Sequence, residues 1–256
     1  GYPRYHGVRL RRYLDLFPRA ARRAIAALAH NISENASGFH ARRRAREFLT
    51  TAGDHWQQAY ASWVSYFSPA MRGELYTDEF RAAVGGYDSS AVLGEHFARV
   101  THAAPLDQVS YVDLHTFLPY NLLEYGDRMS MAHALELRLP FTDHRLVEFS
   151  MRLPAEMKLR GRKTKYLLRE AVRPLLPAEI LERPKLGLNP PLGMWLQGEL
   201  SPLMDTNLSE GAVRRRGWFR PEAVARLRED FRSGRRDYSL HLWALLVLEE
   251  WARQYA

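Results

Sequence analysis

Glu124, Asp127, Arg128, His133 and Lys185 are the residues whose types and spacing offer most chemistry. Glu124 and Asp127 stand three apart, a spacing that lets both carboxylates share one helix face. With Arg128 alongside they can hold a cationic or polar substrate, or they can form a structural salt bridge. Burying such charges without partners is costly. His133 is the general-base candidate by residue type. Its neighbours Ser130, Met131, Ala132 and Ala134 are small or apolar, and no nucleophile lies at a suggestive spacing. That setting fits a hydrogen-bonded structural histidine better than a base. His144 and Arg145, directly after Asp143, read as first-turn residues beside an N-cap.

Lys185 has a different setting. It lies at the mouth of a stretch, residues 184–193, with three prolines and two glycines in ten positions, which predicts irregular structure. An ammonium there can swing onto phosphate oxygens as a loop closes and excludes water, or it can be an ordinary surface lysine.

The elements that must position these residues read as helices. A helical pattern runs from Asp107 through Val109, Val112 and Phe117 to Pro119, and a second from there to about Leu135. Arg138 to Phe141 should be extended, because a residue before proline is pushed out of the helical region. Asp143 then caps a helix through Leu146, Val147 and Met151, and Thr164 can start another over Tyr166 to Val172. Pro18 starts a helix with Ala21, Ala24, Ile25 and Leu28 at helical spacing. Asp54 precedes an aromatic stripe of Trp56, Tyr60, Trp63 and Phe67 that reads as core packing. Residues 68–90 are rich in breakers and predict short helices and loops. Pro221 to Phe231 forms a helix ended by Gly234. Asp237 starts the last one, with Leu242, Trp243, Leu245, Leu246 and Trp251 expected on its buried side. No hairpin signal or sustained alternation appears, so the chain by itself reads as all-α.

Composition narrows the function classes. The chain has 256 residues, 46% of them apolar and 12% aromatic, which excludes disorder over most of its length. Without cysteine it has neither a disulfide framework nor a thiolate metal site, and no metal centre is expected. No apolar run is long enough for a bilayer and no signal peptide opens the chain, which predicts a cytoplasmic protein without a membrane partner. The net charge of +8 rests on arginine: only four of the 37 basic residues are lysines, and all four lie between 158 and 185. The densest run, Arg42-Arg43-Arg44 with Arg46, lacks interleaved aromatics, so a solvated helix face is expected and nucleic acid is not.

Taken jointly, several ordered blocks carry a resemblance. They are Asp127-Arg128-x-Ser130-Met131-Ala132-His133-x-Leu135-Glu136-x-Arg138-x-Pro140-Phe141-x-Asp143-His144-Arg145-Leu146, Lys158-Leu159-Arg160, Thr164-Lys165-Tyr166-Leu167-Leu168-Arg169-Glu170, Arg183-Pro184-Lys185-x-Gly187 and Trp195-Leu196. Arg236-Asp237-Tyr238-Ser239 with Leu242-Trp243-Ala244-Leu245 stands near the end. Gly1-Tyr2-Pro3-Arg4-Tyr5 is similar to the residues that succeed a Gly-Gly-Asp-Glu-type motif. The chain resembles the synthetase half of the glutamine-dependent asparagine synthetases, most strongly over residues 114–200 and weakly over 15–105.

The resemblance implies a fold class: mainly α, the helical C-terminal portion, over residues 1–256, of an α/β PP-loop synthetase domain of the adenine nucleotide α-hydrolase type. It implies an ATP-dependent ligase that activates the side-chain carboxylate of aspartate as an adenylate, which glutamine-derived ammonia then attacks. ATP and Mg2+ belong to the full-length enzyme, and none is expected on this fragment alone. Lys185 matches the lysine that steadies phosphate charge, while Glu124, Asp127 and Arg128 match the helix beside the acyl-acceptor pocket.

Departures from the family pattern bear on these expectations. The Ser-Gly-Gly-x-Asp-Ser loop and the glutaminase part are absent from these residues, so the piece is expected to be inactive without the missing N-terminal half. Tyr125 stands where many relatives carry lysine, and Leu188 where they carry an aromatic. Relatives of the same architecture close β-lactams or cyclise peptides, and a catalytically dead helical interaction module is the further alternative.

Overall fold

In a computed structural model of the chain, residues 2–32, 41–183 and 190–256 are described. Proline sets many of the helix starts. Pro3, Pro69, Pro105 and Pro221 occupy the first helical position, where the missing N–H has no intrahelical acceptor to lose. Pro18, Pro154 and Pro177 stand immediately before the helices Arg19–Ala29, Ala155–Lys158 and Ala178–Glu182. Ser68 and Thr77 cap the short helices Pro69–Leu75 and Asp78–Ala83 by accepting from the N–H groups of Met71 and Phe80. The described chain is therefore mainly α-helical. None of its helices is long and apolar enough to cross a membrane.

The described residues divide into two compact units. The first comprises the described parts of Gly1–Phe17, Trp56–Tyr60 and Ser89–Leu186. Its helix Pro3–Leu14 packs on Pro105–His115, which packs in turn on Ser90–Ala98. Val8, Tyr60, Phe97, Val109 and Val112 are buried among them. The buried Gln108 amide is satisfied twice: its nitrogen donates to the Ala103 carbonyl at 2.8 Å, and its oxygen accepts from Gln57 at 3.0 Å.

A small hairpin in this unit corrects the all-α expectation. Strands Leu159–Arg160 and Lys163–Thr164 pair antiparallel, Leu159 opposite Thr164. Gly161 takes φ +58° at the turn, where a Cβ would be strained. Its carbonyl accepts from Arg9 at 2.9 Å. Strands of two residues are too short to show alternation in sequence. Just before the hairpin, the Lys158 ammonium lies 2.7 Å from Asp107 and also donates to the Met151 carbonyl.

The second unit comprises the described parts of Pro18–His55, Ala61–Asp88 and Gly187–Ala256. Its core is one apolar cluster: Leu242, Leu245 and Leu246 of helix Ser239–Tyr255 join Leu196, Met204, Val224, Leu227 and Phe231. Trp251, expected on the buried side, is half exposed. It lies nine residues beyond Leu242, which at about 100° per residue is half a turn away. Ala252, seven beyond Leu245, takes the inward position. Residues 192 and 193, expected to be irregular, open the helix Leu192–Gln197. In the arginine run, Arg43 is drawn into pairs with Asp237 at 3.0 Å and Glu47 at 3.4 Å.

The cluster around the last helix should dominate the stability of this unit. Leu242→Ala is expected to destabilise it by about 2–5 kcal/mol, since Leu242 is fully buried. Denaturant unfolding followed by tryptophan fluorescence checks this; a loss below about 1 kcal/mol would contradict the assigned packing.

Candidate functional site

The helix Pro105–His115 ends abruptly. Thr116 leaves the helical region at φ −126° and ψ −74°, and the chain restarts as a π-helix over Leu118–Leu123. There the Glu124 N–H reaches back five residues to the Pro119 carbonyl. The sequence pattern predicts one unbroken helix from about Pro119 to Leu135. Instead the π-helical turn leads into a short α-helix, Glu124–Met131, that carries the candidate site. Ala134, at φ +56°, turns the chain back, and the Leu135 N–H bonds the Ser130 carbonyl at 3.0 Å. Gly126 makes the return tight: a Cβ there would stand 3.0 Å from Leu137 Cδ2, and the leucine would have to move.

On the site helix, Arg128 Nη2 lies 2.7 Å from Glu124 Oε1, and both side chains are largely exposed. Glu124 and Arg128, one turn apart, thus form the salt bridge that the sequence offered as one reading of the trio. Asp127 is exposed, and its carboxylate has no hydrogen bond or ion pair among the described residues. Tyr120, Tyr125, Met129, Leu135 and Phe141 flank the trio along the chain, each more than half exposed. An ion pair in water contributes little, whereas the same pair under a water-excluding cover becomes a strong and directional binding element.

His133 is exposed, which corrects the expectation of a hydrogen-bonded structural histidine. The whole segment 131–142 lies on the surface, and an apolar sequence context did not make it interior. Lys185 and Leu188 lie outside the described residues. Arg138 faces Glu136 through two bonds of 3.0 and 3.1 Å. Leu139, at φ −118° and ψ +88°, is held out of the helical region, and Pro140–Thr142 tightens into a 3-10 turn rather than the extended run expected.

Asp143 caps the helix His144–Arg152 as the sequence indicates, accepting from the Arg145 N–H at 2.9 Å. Hydrogen bonds from the Arg145 guanidinium, then from its backbone N–H, pull the carboxyl pKa down to about 2. No group of three or more ligand-type residues able to hold a metal occurs among the described residues.

Residue-type reasoning passed over one feature, the burial of Asp113 among the side chains of Arg4, Tyr5 and Tyr60. Its signal was present: a single carboxylate on an otherwise apolar helix face, Val109-x-x-Val112-Asp113.

This architecture is that of the helical portion of a PP-loop type synthetase domain. The model of the asparagine synthase family matches residues 1–253, and the chain belongs to that family. A Mycobacterium tuberculosis protein, provisionally named a glutamine-hydrolysing asparagine synthetase, is 31% identical over 98% of this chain and 37% of its own length. Asparagine synthetase [glutamine-hydrolyzing] 1 of Bacillus subtilis is 31% identical over 62% of this chain and 25% of its own length. Asparagine synthetase [glutamine-hydrolyzing] 3 of the same organism is 46% identical over 30% of this chain and 12% of its own. The chain thus spans little more than a third of the length of its mycobacterial relative and smaller shares of the two Bacillus relatives. No solved structure matches it.

The cap gives a pH signature. Because the folded Asp143 pKa lies below the unfolded one, its stabilisation is present above the ordinary carboxylate range and is lost as pH falls toward about 2. A carbon-detected NMR titration should place the Asp143 carboxyl midpoint near 2. A midpoint in the ordinary carboxylate range would contradict the cap geometry.

Proposed function

We propose that this chain forms the helical wall of an amide-forming ligase that activates aspartate, or a related carboxylate, with ATP and passes it to glutamine-derived ammonia. The observation that carries the reading is the exposed Glu124–Arg128 pair, with Asp127 beside it, on a helix flanked by exposed apolar side chains in a member of this family. A charged trio with an apolar border is suited to gripping a small zwitterion once water is excluded.

In this reading Arg128 takes the α-carboxylate of the substrate, and Asp127 and Glu124 take its α-ammonium. The free carboxylate oxygen attacks the α-phosphorus of ATP, the α–β bridge breaks, and pyrophosphate leaves. Ammonia then attacks the acyl carbon; AMP departs with the former carboxylate oxygen, and the surplus proton passes to solvent. Lys185 steadies phosphate charge in both steps, so the contribution is positioning and electrostatics rather than proton transfer by the protein. The described residues hold no ligand set suited to Mg2+.

Several finer assignments accompany this reading. The apolar border is the surface that the N-terminal half of a longer enzyme covers, and the 256-residue piece alone turns nothing over. The protein works in the cytoplasm, without a nucleic-acid or membrane partner. A second reading keeps the chemistry but changes the acceptor: Tyr125, more than half exposed beside the trio, suits a larger acyl group of the β-lactam-forming or peptide-cyclising kind.

The test uses full-length enzyme with ATP, Mg2+, glutamine and a panel of carboxylates. Aspartate should elicit AMP and pyrophosphate in equal amounts. Lys185→Ala should lower kcat about a hundredfold or more, and Asp127→Ala should raise the KM for the carboxylate about tenfold. Pyrophosphate release that no carboxylate stimulates, or an unaffected Lys185→Ala enzyme, would overturn the proposal. A larger acid stimulating release where aspartate does not would select the second reading.

A further inference from the structure

A buried ionic network of the first unit lies outside the candidate site, on the helix that leads into it. Asp113 and Arg4 keep only 7% and 16% of their side-chain surface exposed. Asp113 Oδ1 accepts from the Tyr60 hydroxyl at 2.6 Å and lies 3.0 Å from Arg4 Nη2. Its Oδ2 accepts from the Tyr5 hydroxyl at 2.7 Å. Arg4 Nε in turn donates to the Tyr60 oxygen at 2.9 Å, which closes the ring of contacts. Three stretches distant in sequence thus meet at one carboxylate.

The guanidinium also engages two aromatic rings. Arg4 Cζ stands 4.3 Å from the centre of the Tyr2 ring and 4.5 Å from that of Phe117. Those rings meet edge to face, 5.1 Å apart at 77°. Phe117 is the residue from which the π-helix Leu118–Leu123 springs, and that π-helix continues without a break into Glu124–Met131.

We propose that Arg4, Tyr5, Tyr60 and Asp113 are positioning residues that, through Phe117, set the rotation of the helix bearing Glu124, Asp127 and Arg128. A rotation at Phe117 is carried along continuous helical backbone to the site helix, because no loop intervenes to absorb it. The break at Thr116 interrupts the regular helical backbone that would otherwise set the direction of the next segment, and the clamp acts across that break. Burial, then the Asp113 charge, raises the pKa of both Tyr5 and Tyr60 far above the ordinary phenol range, so both remain donors at any working pH. The inference rests on the reading of Glu124–Met131 as a substrate wall.

Tyr5→Phe in the full-length enzyme is the informative variant, since Asp113 keeps Tyr60 and Arg4; Phe117→Leu is the second, altering the link and leaving the ion pair. Both should raise the KM for the carboxylate about three- to tenfold with the KM for ATP unchanged. Amide exchange across residues 124–131 should quicken while residues 109–112 keep their protection. A lower melting temperature with an unchanged carboxylate KM and unchanged exchange at 124–131 would reduce the network to a purely structural role. If wild-type enzyme releases no carboxylate-dependent pyrophosphate but the variants still quicken exchange at 124–131, the clamp stands and the ligase reading falls.

Discussion

A carboxylate placed on the apolar side of a helix has to be satisfied, and the first unit is arranged around that requirement at Asp113. Removing one partner of such a buried pair costs roughly 3–5 kcal/mol, because the remaining charge is left without compensation. Two hydroxyl donors, Tyr5 and Tyr60, and the Arg4 guanidinium charge therefore converge on it. Their convergence places the first turn of the opening helix beside the end of Pro105–His115. The aromatic contacts of Arg4 extend the arrangement to Phe117, where the helical path breaks and restarts in π form. A turn of that kind is unfavourable in isolation and persists where surrounding contacts over-determine it.

Around and beyond the π-helical turn lies a surface unusual for a protein in water. Between residues 120 and 149, Tyr120, Tyr125, Met129, Leu135, Phe141 and Phe149 are each more than half exposed. Scattered exposed apolar side chains need no explanation, but a concentration of this size does, beside an exposed ion pair and an aspartate whose carboxylate has no partner among the described residues. In high dielectric those charges bind weakly, and beneath a cover they bind strongly.

The parts legible in the sequence were those set by local chemistry. Proline at helix starts, the Asp143 cap and the spacing of Leu242, Leu245 and Leu246 each act within a few residues, so the pattern reveals them. The parts that escaped depend on tertiary context. The hairpin at 159–164 is too short for periodicity, and the π-helical turn at 118–123 breaks a pattern that reads as continuous. His133 lies among apolar neighbours in sequence and on the surface in space. Within the site, the helical repeat put Glu124, Asp127 and Arg128 together, and Glu124 and Arg128 form the i,i+4 salt bridge that was one of the two readings of the trio. Lys185, read from its proline- and glycine-rich setting, lies outside the described residues.

The proposed chemistry stands or falls on whether the substrate carboxylate is joined to the α-phosphorus of ATP. The direct measurement supplies full-length enzyme with aspartate carrying 18O in its side-chain carboxyl group and determines the isotope in the AMP formed. One labelled oxygen in each AMP, matched by one amide, is the predicted result. Unlabelled AMP, or cleavage to ADP and inorganic phosphate, would contradict it.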